Sequence, residues 1–347
     1  HIHPDAGDPT GKFRGNVKER MKVMMAKDHG AAGVILINAP SADQDDELMR
    51  VQYDKSPATA GIPVIQMKYG ILDSLMKTFG MNLKNVAASI KSGMSPFVFS
   101  IPYVFSVQTD VIHQKARTQN VVVMLEGDHR ELREEIIVIG AHYDHLGMGG
   151  PGSGSRALDT IAVHYGADDN ASGVAGVIEL AEYLALADNQ PDRSIVFIAF
   201  GAEEMGLVGS KYFVENPPVN LDNVVAMINF DMIGRLKEDK SIAIGGTGTS
   251  EETEDILDQL KARTSLKLNY SKEGYGPSDH AAFYTAGIPV FFISTGAHSD
   301  YHTPMDRAEF LNATGQVEVL EFTAGLIGEL ASRDDRLAFK EAGPTSR

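Results

Sequence analysis

Apolar strands alternating with helices at crossover spacing predict an α/β fold, with a mostly parallel central sheet sandwiched by helices. Strands are expected at residues 136–141, 195–200, 224–230, 241–245, 266–270 and 289–294, and the first three are short apolar runs rich in Ile and Val, the signature of strands buried on both faces. Helical spacing lies between them at 171–187, 206–214, 251–264, 279–286 and 314–332. Connections of that length suit parallel neighbours, because antiparallel hairpins close in a few residues.

The chain has 347 residues, 43% of them hydrophobic, enough for one large core or two modest ones. It contains no apolar run of about eighteen residues, so no membrane span is expected. Asp and Glu number 47 against 31 Lys and Arg, a formal charge of -16, which argues against a nucleic-acid partner. There is no cysteine, so disulfides and thiolate sites are excluded, and a metal would have to sit on His, Asp and Glu. His1-Ile2-His3-Pro4-Asp5 does not read as a natural start, so the chain is expected to be a processed or truncated product.

Residues 1 to about 15 read as loop. Residues 16–28 have helical spacing, with Val17, Met21, Met24 and Met25 on one face as core filler, and His29-Gly30 as the stop. A strand at 32–37, a charged loop over 40–56, a strand opening at Gly61-Ile62-Pro63-Val64-Ile65 and a helix at 71–79 follow. The segments Gly30-Ala31-Ala32-Gly33-Val34-Ile35 and Gly61-Ile62-Pro63-Val64-Ile65 resemble a protease-associated domain. That resemblance covers about residues 12–95 and lacks an obvious first strand. It implies an N-terminally incomplete accessory domain over 1–99, acting as a lid or as a spacer, and a catalytic domain over 100–347. A strand at 119–127 opens the second part.

The strand at 136 ends in Gly140-Ala141 and then presents His142, Asp144 and His145. In open α/β sheets, ligands bind at that carboxyl edge. The next strand ends in Gly201-Ala202-Glu203-Glu204 and the third in Asp231. Between the first two lies Gly166-Ala167-Asp168-Asp169-Asn170, where Asp169 or Asn170 suits a helix cap but capping does not account for two acids in a row. His302 follows the last strand. Acids at several strand ends are costly unless paired or metal-bound. Imidazole mixed with carboxylate suits zinc, with manganese or cobalt less fitting.

The segments Ile139-Gly140-Ala141-His142-Tyr143-Asp144, Gly166-Ala167-Asp168-Asp169-Asn170, Gly201-Ala202-Glu203-Glu204, Asn229-Phe230-Asp231-Met232-Ile233-Gly234 and Tyr301-His302-Thr303 resemble, in order, those of the co-catalytic dizinc aminopeptidases, a family that includes aminopeptidase S and glutamate carboxypeptidase-like enzymes. The resemblance implies two zinc ions: His142 and Asp231 hold one, Glu204 and His302 the other, and Asp168 bridges, with a cis peptide at Asp168-Asp169. It further implies Glu203 as general base, Asp144 as the group that fixes the ring of His142, and Tyr301 as donor to the oxyanion. Peptides are the implied substrates, and a periplasmic or secreted location is expected from relatives with such an accessory domain.

Other polar groups have plainer readings. His145, three residues beyond His142, reads as a bystander, and His164 as a rim or solvated residue. Ser278-Asp279-His280 reads as a helix cap, since adjacent residues cannot form a hydrolytic relay. The glycine-rich stretch 245–250 lacks the Lys of a phosphate loop and reads as a turn. Beside N-terminal exopeptidase activity stand three alternatives: a carboxypeptidase, for which Arg235 is a candidate cation, a one-zinc glutaminyl cyclase, and a non-catalytic receptor-like relative. Preferred residue and oligomeric state are not legible.

Overall fold

Ile136–His142 (β4) is buried along its whole length, and its side chains divide between two cores. Ile137 and Ile139 face one layer of helices, while Ile136 and Val138 face the other. That split follows from the period-two alternation of a strand, and it explains why the run carries no polar residue before its end.

The computed structural model describes residues 19–37, 46, 48, 59–93, 98–102, 104–110, 116–150, 152–186, 188 and 190–344. The loop expected over 1–15, the start of the first expected helix and almost all of the loop over 40–56 lie outside the described residues. The chain divides into two units, His1–Lys115 and Ala116–Arg347. The boundary expected at residue 99 falls inside the first.

In the first unit a helix (α1, Glu19–Asp28) precedes two short parallel strands, β1 (Val34–Leu36) and β2 (Val64–Gln66), with Val34 opposite Val64. Helices α2 (Tyr69–Lys77) and α3 (Leu83–Gly93) follow. The α1 face differs from expectation. Val23 is the buried residue, whereas Met21 and Met25, one turn apart, are both exposed. Asp46 anchors the start of α2 by accepting from the backbone N–H groups of Tyr69 and Gly70 at 2.7 and 2.8 Å.

The second unit is built on a seven-stranded sheet. Its strands are β3 (Val121–Leu125), β4, β5 (Ser194–Phe200), β6 (Val224–Phe230), β7 (Ser241–Gly245), β8 (Lys267–Tyr270) and β9 (Val290–Ser294), in the order β3-β5-β4-β6-β9-β7-β8. Strands β5, β4, β6 and β9 run parallel side by side, while β3 on β5 and β7 on β9 are antiparallel. The expected mostly parallel sheet is therefore present. Helices α4 (Gly173–Ala185), α6 (Thr253–Lys261) and α8 (Ala313–Ser332) cover one face through Val177, Leu257 and Leu326, and α5 (Val208–Glu215) and α7 (His280–Thr285) cover the other through Phe213 and Phe283. From β4 the chain crosses to β5 on one side and then to β6 on the other. The carboxyl ends of β5, β4, β6 and β9 thus share one edge, with a crevice where the crossovers part. No helix among the described residues is long and apolar enough to cross a membrane.

At the opposite edge, Arg193 precedes β5 and is 1% exposed. Its Nε donates to Glu135 at 2.7 Å, and one terminal nitrogen donates to the carbonyls of Leu330, Ala331 and Arg333 at 2.8, 3.2 and 2.6 Å. A cation on the last carbonyls of α8 complements the helix dipole and satisfies acceptors that the helix leaves open. Replacing Arg193 with Met strands those carbonyls and Glu135. The expected cost is about 3 kcal/mol in urea unfolding, and a loss under about 1 kcal/mol would show that this buried pair does not clamp the helix.

Candidate metal centre

Four strand ends deliver the site. His142 closes β4, and its Nδ1 donates to the backbone carbonyl of Asp144 at 3.1 Å, which turns Nε2 into the crevice. There Nε2 lies 3.3 Å from Asp169 Oδ1 and 3.8 Å from Asp231 Oδ2. The carboxylate of Asp144 has a different task from the one expected. It lies 3.9 Å from His142 Nδ1 and instead accepts from the backbone N–H groups of Glu203 and Glu204, at 2.8 and 3.2 Å. Asp144 therefore fixes the ring through its carbonyl and the two glutamates through its side chain.

His302 has the same kind of support. Its Nδ1 donates to the Gly154 carbonyl at 3.0 Å, and Nε2 faces Asp169 Oδ2 at 3.1 Å and Glu204 Oε1 at 3.5 Å. Tyr301 stacks on the His302 ring, with centroids 3.8 Å apart. Ala202, Met232 and His302, each within one residue of a site side chain, hold left-handed φ angles of 58°, 62° and 57°. Such values are uncommon for residues other than glycine and cluster where function demands a geometry.

The shared acid is Asp169, and the expected bridge, Asp168, is elsewhere. Gly166 turns the chain at φ 60°, and an irregular segment over Ala167–Ser172 follows, with the cis peptide at Asp169-Asn170 rather than Asp168-Asp169. The two neighbouring carboxylates diverge. Asp168 Oδ1 accepts from Gly234 N at 2.7 Å and Ser172 Oγ at 2.9 Å, while Oδ2 lies 3.3 Å from His298 Nε2. Asp306, fully buried, holds this turn: one oxygen accepts from the backbone N–H groups of both Asp168 and Asp169, at 2.9 and 3.0 Å. Its other oxygen meets Arg235 at 2.9 Å, and Arg235 also reaches Asp300 at 2.7 Å. Arg235 is thus engaged in holding the turn rather than offered to a substrate carboxylate. The helix cap in this segment is Asn170, whose Oδ1 accepts from Gly173 N at 3.1 Å.

Two further readings change. His164 is buried, with Nε2 2.8 Å from Ser155 Oγ and Nδ1 donating to Ala162 O, so it braces its loop instead of meeting solvent. Asp279 makes no cap bond. It is wholly buried, and burial, with Asp231 and Asp144 nearby, pushes its carboxyl up to about 7. Asp306 went unnoticed in the sequence, although its place four residues after His302 was an available signal.

The donor atoms fit a divalent cation. His142, Asp169 and Asp231 offer atoms all within 4.8 Å of one another, and so do His145, Asp169 and Glu204. Around tetrahedral zinc, with bonds of about 2.0–2.1 Å, ligand atoms lie about 3.3 Å apart. The 3.1–3.8 Å spacings of His142 and His302 to their carboxylates match that figure. Both rings donate from Nδ1 to carbonyls, so without a proton on Nε2 each would set a lone pair against a carboxylate oxygen. The pocket demands positive charge.

The titrating groups express that demand. Burial lowers the affinity of His302 for a proton, but the facing Asp169 and Glu204 outweigh it and lift the ring to about 10; His142 is raised in the same way by Asp169 and Asp231. Burial first, then Asp279, Asp231 and Glu204 against the opposing pull of His142, pushes the Glu203 carboxyl up to about 9. Asp169, despite burial, is held low by His142 and His302. Burial raises the Tyr301 phenol, with the site acids adding to it, so it remains a donor.

The metal-free fold therefore keeps protons on His302 up to about 10, where a free imidazole loses its own near 6.5, and on Glu203 up to about 9 against 4.5. The folded state binds more protons than the unfolded chain across that window, so stability falls as pH rises through it. Chelator-treated protein should unfold at lower urea at pH 9 than at pH 6, with proton release when zinc is added. Greater metal-free stability at pH 9 would contradict this charge balance.

A sequence profile of peptidase family M28 matches residues 120–327. The aminopeptidase of Pseudomonas aeruginosa (strain UCBPP-PA14) is 29% identical over 308 residues, covering 84% of this chain and 49% of that protein. Leupeptin-inactivating enzyme 1 of Streptomyces exfoliatus is 38% identical over 153 residues, 44% of this chain and 34% of that protein. The chain thus spans about half the length of the first relative and a third of the second. The solved aminopeptidase of Aneurinibacillus sp. strain AM-1 shares the fold, with a TM-score of 0.58 at 23% identity over 95% of this chain and 70% of that one. Since the profile runs from β3 into α8 and takes in every strand end that builds the centre, this chain belongs to peptidase family M28.

Proposed function

We propose that the chain is a two-zinc aminopeptidase that removes N-terminal residues from peptides. The observation that carries this reading is Asp169, whose two oxygens face two separate donor sets. His142 and Asp231 would hold one ion, Glu204 and His302 the other, and Asp169 would bridge. Bound zinc supplies a Lewis acid that polarises the scissile carbonyl and acidifies a water.

The chain's own groups do the rest. Glu203 sits at the corner that Asp144 holds, next to Glu204 and charge-coupled to His142 and Asp231. From there it accepts a proton from the attacking water and returns it to the leaving amine. Burial, with the neighbouring carboxylates adding to it, makes its carboxyl a stronger proton holder, and positive charge in the pocket brings it back towards neutral pH, where a general base works best. The Tyr301 phenol, stacked on His302, donates to the oxyanion. A pocket rich in carboxylates favours the positively charged amino end of a peptide, and the engagement of Arg235 with Asp300 and Asp306 removes the cation considered for a carboxypeptidase. We assign the first unit to a protease-associated accessory domain on its paired Gly-rich strand motifs, and expect export on the same ground.

Replacing Glu203 with Gln should leave zinc bound and lower turnover by roughly a thousandfold or more. A panel of free and N-terminally blocked peptides gives the end that is cut, and metal analysis should give about two zinc per chain. Near-normal turnover by Glu203→Gln would overturn the base assignment, and cleavage of blocked but not free peptides would overturn aminopeptidase activity.

A further inference from the structure

His145 meets the same carboxylates as His302, from another side. Its Nδ1 lies 3.0 Å from Glu204 Oε1 and 3.8 Å from Asp169 Oδ2, and its ring is 5.8 Å from that of His302, edge to face. The ring is fixed in place: a Cβ on Gly166 would come within 2.7 Å of it, so only glycine lets the turn into Asp169 pass so close.

The second ring nitrogen decides what His145 does. A metal-ligating imidazole nearly always donates its other N–H to a carbonyl, a carboxylate or water. His142 and His302 both do so, to Asp144 O and Gly154 O. Among the described residues, His145 Nε2 is buried with no partner. Were Nδ1 the ligand atom, Nε2 would carry a buried N–H with nothing to accept it, which costs the full desolvation of a donor. With the proton on Nδ1, that nitrogen donates to Glu204 and only a weak acceptor is left bare. Ionised Glu204, acceptor-only, is the matching partner.

We propose that His145 is a positioning residue: its Nδ1–H holds Glu204 in the orientation that completes the metal subsite shared with His302. It is neither a bystander nor a metal ligand. The inference rests on the zinc reading above and concerns one of its two subsites, so wild-type stoichiometry tests the reading and the variants test the inference.

The measurement is zinc titration of the full chain against a competing chelator, with thermal unfolding of the metal-free proteins as a folding control. His145→Ala should weaken one of two binding steps by about 10–100-fold and leave the other within a few-fold. His145→Asn, whose amide N–H reaches the place of Nδ1, should restore most of that loss. In a Glu204→Gln background, His145→Ala should add little, because the group it holds is already altered. Equal affinities in wild type and His145→Ala would overturn the proposal. So would a loss in His145→Asn as large as in His145→Ala, which marks a ligand. If His145→Ala fails to fold, His145→Phe, which keeps the bulk of the ring and removes its N–H, replaces it in both comparisons.

Discussion

A buried carboxylate at the meeting point of two imidazoles, Asp169, sets the terms for everything around it. It is 3% exposed, it faces His142 and His302 from opposite oxygens, and its backbone N–H is held by Asp306. Burying such a charge is tolerable only with close positive partners. The environment supplies them in layers. The imidazoles sit in front, and behind the turn Arg235 offsets Asp306 and Asp300. Asp306 in turn spends one oxygen on two adjacent N–H groups, which keeps the Asp168 and Asp169 side chains pointing to different places.

The same logic of orientation recurs at each imidazole and carboxylate of the pocket. Backbone carbonyls select the ring tautomers of His142 and His302, and Asp144 pins the glutamate corner. These supports come from loops anchored on the sheet, which suits a centre needing close placement. Parallel packing of β5, β4, β6 and β9 brings the four strand ends to a common edge, and the two cores hold them there.

Much of this was legible from the chain alone. The short Ile and Val runs specified strands because β-branched residues in runs too short for a helix suit a doubly buried strand, and their polar terminations at His142, Glu203-Glu204 and Asp231 marked the working edge. Hairpin-free spacing indicated parallel neighbours. The antiparallel placement of β3 at the sheet edge and of β7 between β9 and β8 was not legible, since strand direction leaves no pattern in a strand's own residues. Nor were the roles of Asp306 and Arg235, whose partners lie far away in sequence.

Asp168-Asp169 shows where reading ends. The pair pointed to a role beyond capping, because two adjacent acids exceed what a helix cap needs, yet either could have served on composition alone. Which one faces the His142 and His302 rings depends on how the turn rotates successive side chains, and that rotation is set by Gly166, Asp306 and Ser172 together. His145 is a similar case: its spacing from His142 made it look idle, and only the folded loop brings Nδ1 against Glu204. The sequence by itself determined the α/β sheet and the inventory of imidazoles and carboxylates, since burial patterns and residue chemistry are local. The tertiary structure decided which oxygen meets which nitrogen, because those contacts join residues 59 positions apart, as in His145 and Glu204, or 138 apart, as in Asp168 and Asp306.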